Sequence, residues 1–221
     1  MASETDQAAI GPLLILDAIE SRILGALIEK EATTPEAYPL TANAVVLACN
    51  QKNNRDPVLE LEPGEIGHAL RELEGKGLLR SVHGARAQRY EHRFAQVYSV
   101  TVRQQAALSV MLLRGPQTVA ELLNRCERLS AFADSDEVRQ TLERLMQRSP
   151  ALAIKLARAA GQREDRYMHL LCGDVDESAY AFAARPAAAA DRPGLEARIE
   201  VLEVELQSLR GDIAELRERL G

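Results

Sequence analysis

A chain of 221 residues is long enough for one large or two small domains, and 46% hydrophobic with 27% charged residues is an ordinary soluble balance. A net charge of −6 argues against a strongly basic nucleic-acid binder. No apolar run approaches the ~20 residues of a membrane helix, residues 1–16 lack the basic start of a secretory signal, and the separated Cys49, Cys126 and Cys172 form no CxxC pair. The expected setting is therefore a reduced cytoplasm, with no membrane attachment, no disulfide framework and no metal site.

In chain order, Asp17 and Glu20 form a capping box that opens a helix through about Lys30. Ile19, Ile23, Leu24, Leu27 and Ile28 mark its buried stripe. Thr41 caps a second helix through about Gln51, and Pro63 suits the first turn of a third, with Ile66, Leu70 and Leu73 as its core face. Gly75 and Gly77 stop it, and "LLRSV" and "AQRYEHRF" read as strands of a hairpin. A further helix spans roughly 103–113. Capping boxes at Thr118 with Glu121 and at Asp134 with Glu137 start two more, and "ALAIKLARA" and "EDRYMHLL" supply a second hairpin turning near Gly161.

The two series are one unit repeated. "EIGHALREL" at 65–73 answers "EVRQTLERL" at 137–145, and "RYEH" at 89–92 answers "RYMH" at 166–169. Three helices followed by a two-stranded hairpin is the winged helix-turn-helix arrangement. The predicted fold is thus mainly α with small β-hairpin wings: a flexible N-terminus (1–16), winged-helix domains at 17–102 and 103–171, and an Ala/Pro-rich linker at 172–194.

A coiled-coil helix completes the chain at 195–221. Its apolar residues Leu195, Ile199, Leu202, Leu206, Leu209, Ile213, Leu216 and Leu220 alternate in spacing between four and three. The g–e pairs Arg198–Glu203, Glu205–Arg210 and Asp212–Arg217 are all opposite in sign, which fits a parallel homodimer.

Charge is uneven along these segments. Residues 17–102 hold 10 Lys/Arg and 12 Asp/Glu, residues 103–171 hold 11 and 8, and residues 172–221 hold 6 and 11. The first domain's third helix presents His68, Arg71 and Glu72 among Glu60, Glu62, Glu65 and Glu74, a poor surface for phosphate. Its wing is better, with Arg80, Arg86, Arg89 and Arg93. The second domain's third helix presents Arg139, Gln140, Arg144 and Gln147, and its wing adds Lys155, Arg158 and Arg163. Arg and Gln can read base edges bidentately, and wings touch backbone.

The polar run 50–56, "NQKNNRD", lies between the second and third helices. Asn54–Arg55–Asp56–Pro57 reads as a turn that caps its own backbone, and Asn50, Lys52, Asn53 and Arg55 as a polar recognition surface. Strand alternation puts His92 and His169 on the faces that pack on the helices, which makes them structural. No Gly-rich phosphate loop, HExxH or GxSxG is present, so no catalytic residue and no cofactor is expected.

"ALIEKEATTPEAYPLTANAVVLACNQKNNRDPV", "YEHRF", "LLRGPQTVAELLNRCERL" and "GQREDRYMHLL" resemble the YceH-like family, bacterial proteins of unassigned function. The resemblance runs in order from about residue 17 to 171. It implies two tandem winged helices and carries over no activity. The leading expectation is a non-catalytic, DNA-binding regulatory protein that partners a second copy of itself. The rival is a protein–protein adaptor whose winged helices are docking modules.

Overall fold

Side-chain caps set most of the helix starts. Asp17 accepts from the Ile19 and Glu20 amides at 2.8 Å each, and Glu20 accepts from the Asp17 amide at 2.8 Å. Helix α1 (Ala18–Thr33) therefore opens on the expected capping box. The Thr41 hydroxyl accepts from the Ala44 amide and starts α2 (Ala42–Cys49), and α3 (Pro63–Gly75) carries its proline in the first turn. Strands β2 (Leu79–His83) and β3 (Gln88–His92) pair antiparallel, with Leu79 opposite His92. A short β1 (Leu40–Thr41) joins the free edge of β3, with Leu40 opposite Tyr90.

After α4 (Phe94–Tyr98), the series begins again. Helix α5 (Val102–Arg114) has a Thr101–Gln104 capping box and α6 (Val119–Arg125) a Thr118–Glu121 box. Helix α7 (Ser135–Met146) starts at Asp134 and leads to the antiparallel hairpin of β4 (Ala153–Leu156) and β5 (Arg166–His169). The computed structural model describes residues 13–83, 87–156, 158 and 164–175. It is mainly helical with small antiparallel hairpins. All described residues belong to one compact unit. None of the described helices is long and apolar enough to cross a membrane.

Hydrogen bonds repeat between the halves as the sequence does. The Leu78 amide donates to Leu73 O as the Leu152 amide donates to Leu145 O. Arg93 N donates to Leu78 O as Leu170 N donates to Leu152 O. The Leu40–Tyr90 pairing has its counterpart in an isolated Gln117–Tyr167 bridge, so the second half keeps a remnant of β1. The two N-cap residues Asp17 and Thr101 align α1 with α5, and these equivalent helices cross at equivalent positions. The Ser109 hydroxyl donates to Gly25 O at 3.1 Å, and a Cβ on Gly25 would stand 2.8 Å from Leu113 Cγ. One hydrophobic cluster runs through both halves, from Ile23, Leu24 and Leu27 to Leu108, Met111, Val138 and Leu142.

Several boundaries differ from the sequence reading. α1 continues to Thr33 rather than Lys30, and α2 ends at Cys49 rather than Gln51. α2 stops because the Asn50 amide is engaged elsewhere, donating to Leu61 O and accepting from Leu61 N at 2.9 Å each. The strand read through Phe94 ends at His92, because Phe94 turns inward and packs on Tyr98 with ring centroids 4.8 Å apart. At Asp134 the box is incomplete. Asp134 accepts from the Asp136 and Glu137 amides, but Glu137 accepts from the Ala133 amide instead. Leu13 to Leu16, assigned to a free N-terminus, are seated: Leu14 O accepts from the Tyr98 hydroxyl and Leu16 N donates to Leu171 O. The turn near Gly161, the linker beyond 175 and the heptad from Leu195 to Leu220 lie outside the described residues.

Candidate nucleic-acid interface and the polar loop

α7 follows α6 across the connection of residues 126–134 and buries Val138, Leu142 and Leu145. The same helical period leaves Arg139, Gln140, Arg144 and Gln147 exposed. Arg139 is paired with Asp136 at 2.5 Å. Gln140, Arg144 and Gln147, at i, i+4 and i+7, have no side-chain partner among the described residues, so their donors and acceptors face water. In front of α7 lies a cleft of about 430 Å³, lined by Gln140 and Arg144 together with Thr101, Val102 and Arg103. Arg103 is tied to Glu137 at 2.6 Å.

The hairpins hold their cations more tightly. Lys155 and Arg158 share Asp165, at 2.7 and 2.5 Å, and those two bonds hold the Asp165 carboxyl down at about 2. Arg80 is paired with Glu91 at 2.5 Å. Arg89 donates to Pro39 O at 2.6 Å and keeps its charge exposed, while Arg93 is exposed with no ion pair among the described residues. Arg86 and Arg163 lie outside the described residues. On α3, His68, Arg71 and Glu72 are exposed as expected, alongside Glu62 and Glu65.

The polar loop separates into two kinds of residue. Lys52 and Asn53 are exposed. Asn50 is occupied by Leu61, and Arg55, read from sequence as part of a recognition surface, faces the interior with a fully buried side chain. Its guanidinium donates to Glu29 at 2.6 and 3.2 Å, to Ala48 O at 2.8 and 3.1 Å, to Asn54 O and to Gln51. Arg22, which the sequence reading missed, donates to Cys49 O at 3.2 Å and Pro57 O at 2.7 Å. Burial first and Arg55 second hold its guanidinium below the ordinary value. Two arginines thus satisfy the last carbonyls of α2, at the negative end of its dipole. Asn54 adopts φ 61°, the left-handed region that Asn tolerates, and its side chain accepts from Arg114. The only sequence signal for Arg22 was a charge beside the Ile23/Leu24 apolar pair, with nothing to say what it would meet.

A second cleft, of about 370 Å³, opens beside this loop. Glu29, Lys30, Thr33 and Thr34 of the α1 end, residues 51–54 and Arg128 line it.

The two repeated histidines part company. His92 Nδ1 accepts from the Phe94 amide at 3.3 Å, so Nε2 carries the proton that meets Glu31 at 2.9 Å. That bond lowers the Glu31 carboxyl. His169 is 3% exposed, and its Nδ1 has no partner among the described residues. Burial pushes the Cys49 and Cys126 thiols up to about 12, which makes them packing groups rather than nucleophiles.

Comparison with known proteins gives one consistent result. The family described as "Protein of unknown function, DUF480" matches residues 16–162. The chain is 50% identical to "UPF0502 protein Smlt0097" of Stenotrophomonas maltophilia (strain K279a) over 217 residues, covering 96% of this chain and 99% of that one. It is 51% identical over 214 residues to "UPF0502 protein xcc-b100_4348" of Xanthomonas campestris pv. campestris (strain B100), covering 95% and 96%. With "UPF0502 protein XOO0224" of Xanthomonas oryzae pv. oryzae (strain MAFF 311018) it shares 52% over 215 residues, with the same coverage.

Proposed function

We propose that this chain, which belongs to the DUF480 family, is a non-catalytic regulatory protein that binds double-stranded DNA, each half of its core acting as a winged helix. The observation that carries the reading is the free Gln140–Arg144–Gln147 stripe on α7. In a winged helix, the helix at this place enters the major groove and the hairpin touches backbone. Arg suits the guanine edge and Gln the adenine edge. The first half contributes differently, because Glu62, Glu65 and Glu72 on α3 repel phosphate. Its share is backbone contact by Arg89 and Arg93.

Fluorescence anisotropy on a duplex selected for binding tests this. Arg144→Ala is expected to weaken that duplex by about 1–3 kcal/mol and to relax its sequence preference. Thermal stability should not change, since the exposed Arg144 side chain makes no hydrogen bond or ion pair among the described residues. Absence of binding to any duplex at about 50 mM salt, where phosphate contacts are strongest, sinks the DNA reading. It would leave the adaptor, which the 72% exposure of Leu47 and the acidic face of α3 favour.

The regulatory reading includes a homodimer through the heptad tail. Leu206→Asp with Leu209→Asp is expected to turn a dimer into a monomer in light scattering. A double variant that stays dimeric rejects the tail as the contact.

A further inference from the structure

The 370 Å³ cleft draws its walls from both halves: the end of α1 and the 51–54 loop on one side, Arg128 on the other. Its one acid, Glu29, is neutralised by Arg55. Lys30, Lys52 and Arg128 have no ion pair among the described residues, so three unmatched cations line one concave surface. The wall behind Asn54 adds to the field. Arg114, which donates to Asn54, stands below its ordinary value through burial first and Arg125 second. The carbonyl end of α1 opposes an anion, and two threonine hydroxyls of that end offset part of its field by donating to carbonyls of the last turns. The Thr33 hydroxyl donates to Glu29 O at 2.8 Å, and the Thr34 hydroxyl to Lys30 O at 3.1 Å.

We propose that this cleft binds a small phosphorylated, hydroxyl-rich molecule of the sugar-phosphate class. The three cations match a phosphate group. The free Asn53 amide and the two threonine hydroxyl oxygens match sugar hydroxyls as donor and acceptors. No aromatic side chain lines the cleft, so a nucleobase would find no face to stack on. The volume sits at the small end of the range for small-molecule sites. Because the walls belong to both halves, the ligand bridges them.

Calorimetric titration of the full chain with glucose 6-phosphate tests the site without any DNA, so its failure leaves the DNA reading untouched. Glucose 6-phosphate is expected to bind saturably, inorganic phosphate more weakly, and glucose not at all. Lys52→Ala with Arg128→Ala, both exposed, should lower the affinity about a hundredfold, roughly tenfold for each charge-assisted contact, with the melting temperature unchanged. No saturable heat at roughly 1 mM, a weak affinity for a small ligand, would overturn the proposal. So would full affinity in the double variant, or phosphate binding as tightly as glucose 6-phosphate. Competition by a short duplex would overturn it as well, since the cleft would then belong to a DNA surface.

Discussion

Arg55→Ala is expected to destabilise the protein by about 3–5 kcal/mol, the cost of breaking a buried ion pair from one side. The substitution removes all the bonds of the Arg55 guanidinium at once. Glu29, whose side chain is 13% exposed, loses its one ion pair among the described residues. Ala48 O loses two donors, and Gln51 and Asn54 O lose one each. Each buried acceptor left without a donor adds its own desolvation cost. Urea unfolding should show a lower midpoint with an unchanged slope, because the surface exposed on unfolding is the same. Arg55→Lys keeps the charge but not the planar fork that reaches Glu29 and Ala48 together, so it should recover only part of the loss. Lys52→Ala, three residues earlier but at an exposed side chain, should stay within about 0.5 kcal/mol. A loss under about 1 kcal/mol for Arg55→Ala would mean that the Arg55 network contributes little to holding the loop.

The contrast between Lys52 and Arg55 shows where sequence reading stops. Helix starts were legible because Asp17, Thr41, Thr118 and Pro63 act within three or four residues of themselves, a distance at which spacing is geometry. The repeat was legible because Ile66, Leu70 and Leu73 recur as Val138, Leu142 and Leu145 with the same period. Arg55 was not. A charged residue in a polar run reads as solvated, and only Glu29, distant in sequence and brought close by the packing of α2 on α1, turns it inward. Arg22 failed to show for the same reason, its acceptors being the carbonyls of Cys49 and Pro57. α4 was missed because five residues carry no helical period, and its first residue, Phe94, was read as the end of a strand. Gln140, Arg144 and Gln147 were legible as exposed, but that they lack partners while Lys155, Arg158 and Arg80 have them is a property of the folded surface.

His169 is expected to make the protein lose stability as pH falls from about 6.5 to about 4, by about 3 kcal/mol at the acid end. Burial lowers its imidazole to about 4. The sign follows from which state holds the proton. In the unfolded chain the ring protonates near 6.5, and in the folded protein it stays neutral until about 4, so between those values the unfolded state binds more protons. The contribution is therefore fully present above 6.5 and lost as pH falls through 4. The repeat explains why this ring has no carboxylate beside it. Counting from the N-caps Asp17 and Thr101, the residue that corresponds to Glu31 is Gly115, which has no side chain to offer. His92 Nε2 meets the Glu31 carboxylate, whereas His169 Nδ1 is buried with no partner among the described residues. His169→Leu should consequently be close to neutral at pH 7, since it removes a buried nitrogen that has no bond to lose. At pH 5 it should be more stable than the parent. Urea titrations of both proteins from pH 7 to 4 give the difference directly, with the carboxylates common to both cancelling. Parallel curves across that range would show that the His169 ring titrates in the folded protein as it does in the unfolded chain, and that burial does not isolate it from water.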